Sequence, residues 1–315
     1  MRQVDSAASD GSRIMRHGNF LEDKALAAAQ QASAGVIERQ QVDARLELLL
    51  PPSNIYRDGL AEAVRFASLA QGKRVRPVLA MLSAAHFGGA PADALDFGCA
   101  LELIHTASLI LDDLPCMDDA AMRRGRPTVH RQFGEDTAVL SAVALLNHGF
   151  GIVAEDTRLG AEMRLSLMRL VRDAVGFDGL VSGQMRDLRD TATDRNEASL
   201  TSLNRQKTGG LFVAAAVGGA VIAGAGDADV QAASAFGDRL GLAFQLRDDL
   251  QDLTSTLEVM GKDVLQDRDR VTLVTLRGPD RSRIEIGNTL QSALAALGER
   301  RSALGVFVLN LFNTI

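Results

Sequence analysis

Two aspartate clusters stand far apart in the chain. The first is Asp112-Asp113-Leu-Pro-Cys-Met-Asp118-Asp119 and the second is Asp248-Asp249-Leu-Gln-Asp252. Each closes an apolar, helix-forming run. Burying so many carboxylates without a partner is costly. Mg²⁺ is a fitting partner, because it takes hard oxygen ligands and is commonly shared with substrate phosphates. The chemistry these residues suggest is a diphosphate gripped between two acidic helices through bridging Mg²⁺.

Spacing refines this. His105 and Asp112 are seven residues apart and share a helix face. Asp112 and Asp118 are six apart, so on an ideal helix they diverge by roughly two-thirds of a turn. Pro115 between them must disturb the helix, and a kink or bulge there is expected to return both carboxylates to one mouth. In the second cluster Asp248 and Asp252 face the same way, with Gln245 on that side and Asp249 toward the flank. Taken alone, either cluster is also compatible with a solvated acidic helix face. Paired cations weigh against that reading. Arg123-Arg124-Gly125 follows the first cluster, Lys207-Thr208 precedes the second, and Lys262 trails it. Guanidinium and ammonium groups suit a metal-bridged anion that also needs direct contacts.

The elements that must hold these residues read as helices. The pattern predicts helices over about 20–50, 59–70, 91–111, 132–156, 159–176, 198–208, 211–224 and 228–253, one or two helices over 281–312, and an apolar run at 78–87. Gly72-Lys73-Arg74-Val75-Arg76-Pro77 reads as a basic turn. The region 254–275 reads as a loop with short pieces, of which Val271–Leu276 favours helix over strand. The fold class expected is therefore all-α, a single large helical bundle over 20–315 after a polar, disordered tail at 1–19.

Bulk composition excludes several roles. Net charge is −6, with no basic stripe for nucleic acid. Cys99 and Cys116 are the only cysteines, too few for a secreted disulfide framework, and the cytoplasm is the default. No signal peptide is evident, and the uncharged stretch Leu211–Gly226 falls short of the ~18–20 residues a membrane span needs. It reads as a closely packed core helix, and no membrane anchor is expected.

In order along the chain stand Gly72-Lys73-x-x-Arg76-Pro77, His105, Asp112-Asp113-x-x-x-x-Asp118 and Arg123-Arg124-Gly125. Gly183-Gln184-x-x-Asp187-Leu188, Lys207-Thr208, Phe244-Gln245-x-x-Asp248-Asp249-x-x-Asp252 and Gly261-Lys262 follow. This ordered set, spanning Gly72 to Leu276, resembles the trans-isoprenyl diphosphate synthases. The resemblance implies a helical bundle of isoprenoid-synthase type around a central cavity, and a homodimer. It implies Mg²⁺, several ions per site, on Asp112, Asp113, Asp118, Asp248 and Asp252. An allylic diphosphate would be held by Arg123, Lys207 and Lys262, and isopentenyl diphosphate by Lys73, Arg76, His105 and Arg124. Thr208 and Gln245 offer oxygen dipoles to an allylic cation, and Asp112, Asp118, Lys207 and Asp248 carry catalysis. Ala107 and Ser108, about one turn before Asp112, are small where short-chain farnesyl-type members place an aromatic floor. The stretch from His105 to Asp119 is similar to bacterial geranylgeranyl diphosphate synthases of carotenoid pathways. The expected product is thus geranylgeranyl diphosphate (C20), with farnesyl diphosphate (C15) the alternative. A terpene cyclase would carry a different second metal motif, and a non-catalytic synthase subunit would have lost aspartates. Arg270 stands where members often carry Lys, and the chain lacks the basic C-terminus of some members.

Overall fold

The computed structural model describes residues 35–53, 59–254, 271–298 and 302–312. The tail call at 1–19, the first half of the helix expected from residue 20, and the calls on Gly261, Lys262 and Arg270 lie outside them.

Helices carry nearly all of the described structure. They are α1 (Val36–Leu49), α2 (Leu60–Ser68), α3 (Val75–His86) and α4 (Leu95–Asp112), the last entered through a 3₁₀ turn over Pro91–Ala94. A two-residue antiparallel hairpin, β1 (Met122–Arg123) with β2 (Arg126–Pro127), follows the first aspartate cluster. Then come α5 (Val129–Phe133), α6 (Glu135–Glu155), α7 (Ala161–Val175), α8 (Leu180–Arg189), α9 (Glu197–Asn204), a π-helical turn Arg205–Gly209 and α10 (Gly210–Ile222). The chain continues with α11 (Asp227–Thr254), α12 (Leu273–Arg277), α13 (Pro279–Ala296) and α14 (Ala303–Phe312). Val271–Leu276 is helical from Leu273, as its better odds suggested.

The core gathers around α4, which is apolar on nearly every side and packs against α3 and α6. Leu101, Leu103 and Ile104 are fully buried there. α10 lies between α3 and α11 and is buried along most of its length, as the uncharged Ala/Gly run requires. Among the described residues two helices are long and apolar enough to cross a membrane by length and composition, Pro91–Asp112 and Glu135–Glu155. The first is 72% buried in the bundle over its most apolar window and is a core helix. The second is 39% buried and leaves Val139, Leu140 and Val143 exposed.

Four sequence expectations need correction. Pro115 ends α4 rather than kinking it: the helix stops at Asp112, and Asp118 N–H donates to the Asp112 carbonyl across a turn (2.9 Å). Only the first half of the basic turn is a turn, since α3 begins at Val75 and takes Arg76 and Pro77 into its first turn, where proline's missing N–H is tolerated. Gly209-Gly210 does not break a helix; 197–222 runs on as one rod through the π turn. Those glycines serve close packing instead, because a Cβ on Gly241 of α11 would stand 2.7 Å from the Gly209 Cα. Finally, α8 is a helix the periodicity reading passed over, ten residues with polar groups facing inward.

Candidate active site

α4 and α8, the loop 71–74, the start of α3, the 197–222 rod and α11 surround a cavity of about 760 Å³. Asp112 and Asp118 line one side of its mouth; Asp248, Asp249 and Asp252 line the other. The two clusters, 136 residues apart from Asp112 to Asp248, thus face one space.

The walls are built differently. On α11 the i,i+3 and i,i+4 spacing does the work. Gln245 Nε2 donates to Asp249 Oδ1 (2.6 Å), while Thr208 Oγ1 donates to Gln245 Oε1 (2.5 Å). Asp249 therefore faces inward, not to the flank as expected, and burial pushes its carboxyl up to about 7 against the opposing Gln245 bond. Asp248 is half-exposed and accepts from Arg247 Nη2 (2.9 Å). Arg247 is itself buried, its guanidinium 3.9 Å over the Phe244 ring and 5.1 Å over Phe312, and Nη1 donates to the Leu311 carbonyl (2.8 Å). On the first wall, burial pushes Asp112 up to about 6; Lys207 opposes the shift and Asp118 adds to it.

Asp113 departs from the expected ligand set. It does not line the cavity; it is buried beside the hairpin, where Arg123 Nε meets both of its oxygens at 2.8 Å. One residue of rotation past the helix end carries it away from the mouth. Asp113 thus orients Arg123, which does line the cavity. Ala107 is likewise absent from the lining and fully buried in the core, whereas Ser108 lines the cavity and donates to the His105 carbonyl (2.8 Å).

Lys207 Nζ donates to Asp187 Oδ2 (2.6 Å) on α8, and Arg195 Nη2 donates to the Asp187 backbone carbonyl (2.7 Å) and Oδ1 (3.2 Å). The π turn and α8 approach backbone to backbone here: a Cβ on Gly183 would stand 2.4 Å from the Lys207 nitrogen. Glycine at 183 is what lets α8 come close enough for Asp187 to reach the lysine. Asp187, Asp249, Arg195 and Glu102 were missed as site residues. The Gly183-Gln184-x-x-Asp187 pattern was the available signal for Asp187.

The same cavity is also lined by Lys73, Arg76, His105 and Arg124, with Arg39, Arg74 and Glu102, and Asp248 of the second cluster acts electrostatically on Arg76. Arg76 Nε is buried without a hydrogen-bond partner, and burial, partly offset by Glu102, lowers its guanidinium to about 10. Burial also lowers Arg124, whose guanidinium fills the space a side chain at Gly72 would take. Burial and then the cations Arg76 and Arg124 hold His105 well below the ordinary histidine value, so it is neutral at pH 7.

Mg²⁺ fits the mouth. Asp112 and Asp249 are partly buried carboxylates whose charge is under-compensated, and Asp118, Asp248 and Asp252 add further hard oxygen donors to the same lining. Among the described residues no three acidic, His or Cys side chains are grouped to hold a metal alone. Mg²⁺ there would draw remaining ligands from substrate oxygens, its usual mode with phosphates.

A helical bundle whose one cavity is lined by two carboxylate clusters and by several arginines and lysines fits an enzyme that handles two polyanionic groups at once. Comparison with known proteins agrees. The polyprenyl synthetase family model matches residues 57–298. The geranylgeranyl diphosphate synthase of Pseudescherichia vulneris is 41% identical over 259 residues, 82% of this chain and 83% of that one. The farnesyl diphosphate synthase of Micrococcus luteus is 38% identical over 253 residues, 80% and 87% of the two chains. A Helicobacter pylori geranyltransferase, solved with magnesium and isoprenyl diphosphate, superposes with a TM-score of 0.78 at 31% identity, covering 90% of this chain and 97% of that one. This chain belongs to the polyprenyl synthetase family.

Proposed function

We propose that this protein is a Mg²⁺-dependent short-chain trans-prenyltransferase that joins isopentenyl diphosphate to allylic diphosphates and releases geranylgeranyl diphosphate. The observation that carries this is the charge content of one cavity: acids that close α4 and α11 line it together with cations of the 72–76 segment and Arg124.

Asp112, Asp118, Asp248 and Asp252 would hold Mg²⁺, joined by Asp249, which the sequence reading left out. When bound, Mg²⁺ supplies Lewis-acid stabilisation of the departing diphosphate. Arg123, fixed by Asp113, and Lys207, fixed by Asp187, bind the allylic diphosphate beside them; Lys262 is proposed for the same group from the family resemblance. Lys73, Arg76 and Arg124 bind isopentenyl diphosphate, and neutral His105 adds an uncharged hydrogen bond. With both substrates so oriented, the allylic C–O bond breaks and its electrons leave with the diphosphate. The oxygens of Thr208 and Gln245 and the ring of Phe244 face the resulting allylic cation. The isopentenyl double bond attacks that carbon, and the released diphosphate takes the proton lost. Leu180, Leu200 and Leu203 give the cavity an apolar side that keeps water from the cation.

The C20 product follows from Ser108, a small side chain at the cavity wall four residues before Asp112. The C15 alternative draws on Ala107 being outside the lining, which leaves one small residue instead of two beside the growing tail. Incubating the protein with Mg²⁺, labelled isopentenyl diphosphate and C5 to C15 allylic diphosphates, then sizing the products, separates them. The absence of any prenyl product would overturn the enzyme reading itself.

The exposed apolar side chains of α6, Val139, Leu140 and Val143, fit a second copy of the chain, and we read the enzyme as a homodimer. Leu140→Asp with Val143→Asp should convert it to monomer in light scattering. Cys99 and Cys116 are free thiols, which suits a reducing compartment, and the cytoplasm is the proposed location.

A further inference from the structure

A chain of charges runs from α1 to the cationic part of the cavity lining. Arg39 Nε stands 3.9 Å from Asp43 one helical turn later. Asp43 Oδ1 accepts from Arg74 Nε (2.8 Å), Arg74 Nη2 donates to the Ala70 carbonyl (2.9 Å), and Arg74 Nη1 donates to Glu102 Oε1 (3.1 Å). Arg74 and Glu102 are both buried, at 3% exposure each. Arg74 is also the residue before α3 and is held at φ +49°, ψ +41°, a left-handed conformation that costs a non-glycine residue about 1 kcal/mol or more.

That conformation has a purpose if the clamp is what sets it. Lys73 and Arg76 flank Arg74 and line the cavity with Arg124. Among the described residues none of these three donates to a carboxylate, and the Nε of Arg76 is buried without a partner there. Glu102 sits one turn before His105 on α4 and lines the same cavity, so a buried anion stands among cations that repel one another. Its charge supports both Arg76 and Arg124 against burial. α1 lies before the stretch that matches the family model, yet supplies half the clamp.

We propose that Asp43 and Glu102 are positioning residues for the isopentenyl diphosphate subsite: together they clamp Arg74, fix its left-handed turn, and so aim Lys73 and Arg76 at the diphosphate. This rests on the prenyltransferase reading above. The allylic subsite, anchored by Asp113–Arg123 and Asp187–Lys207, does not share the clamp.

The test is steady-state kinetics on full-length Asp43→Asn and Glu102→Gln with Mg²⁺, varying each substrate at saturating levels of the other. The clamp predicts that KM for isopentenyl diphosphate rises about tenfold in Glu102→Gln and about threefold in Asp43→Asn, with the allylic KM unchanged. Equal changes in both KM values, or none, overturn it. If Glu102→Gln fails to fold by circular dichroism, Asp43→Asn, whose side chain is half-exposed, decides alone by the same criterion. A wild-type protein that forms no prenyl product refutes the enzyme reading; an active wild type with unselective variants refutes the clamp only.

Discussion

Asp112 and Asp249, at the mouth of the cavity, hold their protons to about 6 and about 7, because burial disfavours their charge and no cation fully answers it. In the cationic part of the same lining, Arg74 has two carboxylates and a carbonyl on its guanidinium. The mouth is left short of positive charge, while the cationic part carries its own counter-anion in Glu102. The difference teaches what each part waits for. An acidic site with unmet charge calls for a metal. A cationic site with internal support needs only an anion, and the neighbours of Arg74 are left to meet it.

The largest effect should come from removing an acid at the mouth. Asp112→Ala or Asp248→Ala should lower kcat about a thousandfold, since transition-state charge stabilisation is lost, as measured by label incorporation at saturating substrates. A chelator should abolish turnover and Mg²⁺ restore it. In the cationic part, Arg76→Met should raise KM for isopentenyl diphosphate roughly thirtyfold or more while sparing the allylic KM, because a buried charge-assisted contact goes. A loss of equal size on both substrates would erase the distinction between the two parts.

Acidity offers a milder probe. The folded-state values of Asp112 and Asp249 lie above the ordinary carboxylate value, so the folded protein binds more protons than the unfolded one between about pH 4 and 7. Without Mg²⁺, stability should therefore fall as pH rises from 5 to 7.5, by on the order of 2 kcal/mol or a few degrees in Tm. Mg²⁺ with pyrophosphate should flatten that slope. Differential scanning calorimetry at several pH values reads both. The smallest change expected is Ser108→Phe, which should shorten the product to C15 while leaving total turnover within about threefold.

Much of this was legible in the sequence. Helical periodicity gave most of the rods to within a few residues, and α11 presented Asp248 and Asp252 to the cavity as the i,i+4 spacing required, with Asp249 the exception. What escaped has physical causes. Whether Pro115 kinks or ends a helix depends on turn bonds such as Asp118 N–H to Asp112, which spacing does not encode. Asp113 and Asp112 are adjacent and alike in type, and only the end of α4 decides that one faces the cavity and the other faces Arg123. Gly209 and Gly210 carried a breaker signal that tertiary packing overrode, Gly209 against Gly241 and Gly210 against Ala174. The Arg74 clamp joins three segments 31 and 28 residues apart, a contact that no local pattern announces.

The π turn at Arg205–Gly209 takes up an extra residue in a rod that is otherwise regular, and both Lys207 and Thr208 find inward partners because of that insertion. Deleting Gln206 would restore ordinary winding with α9 and α10 still nearly in phase, because a π bulge absorbs one extra residue. The loss falls on the bulge itself, where Lys207 and Thr208 could no longer both keep the inward directions that the wider turn gives them. A one-codon loss in this segment should therefore disable the enzyme as thoroughly as removing an aspartate, without touching any charged group.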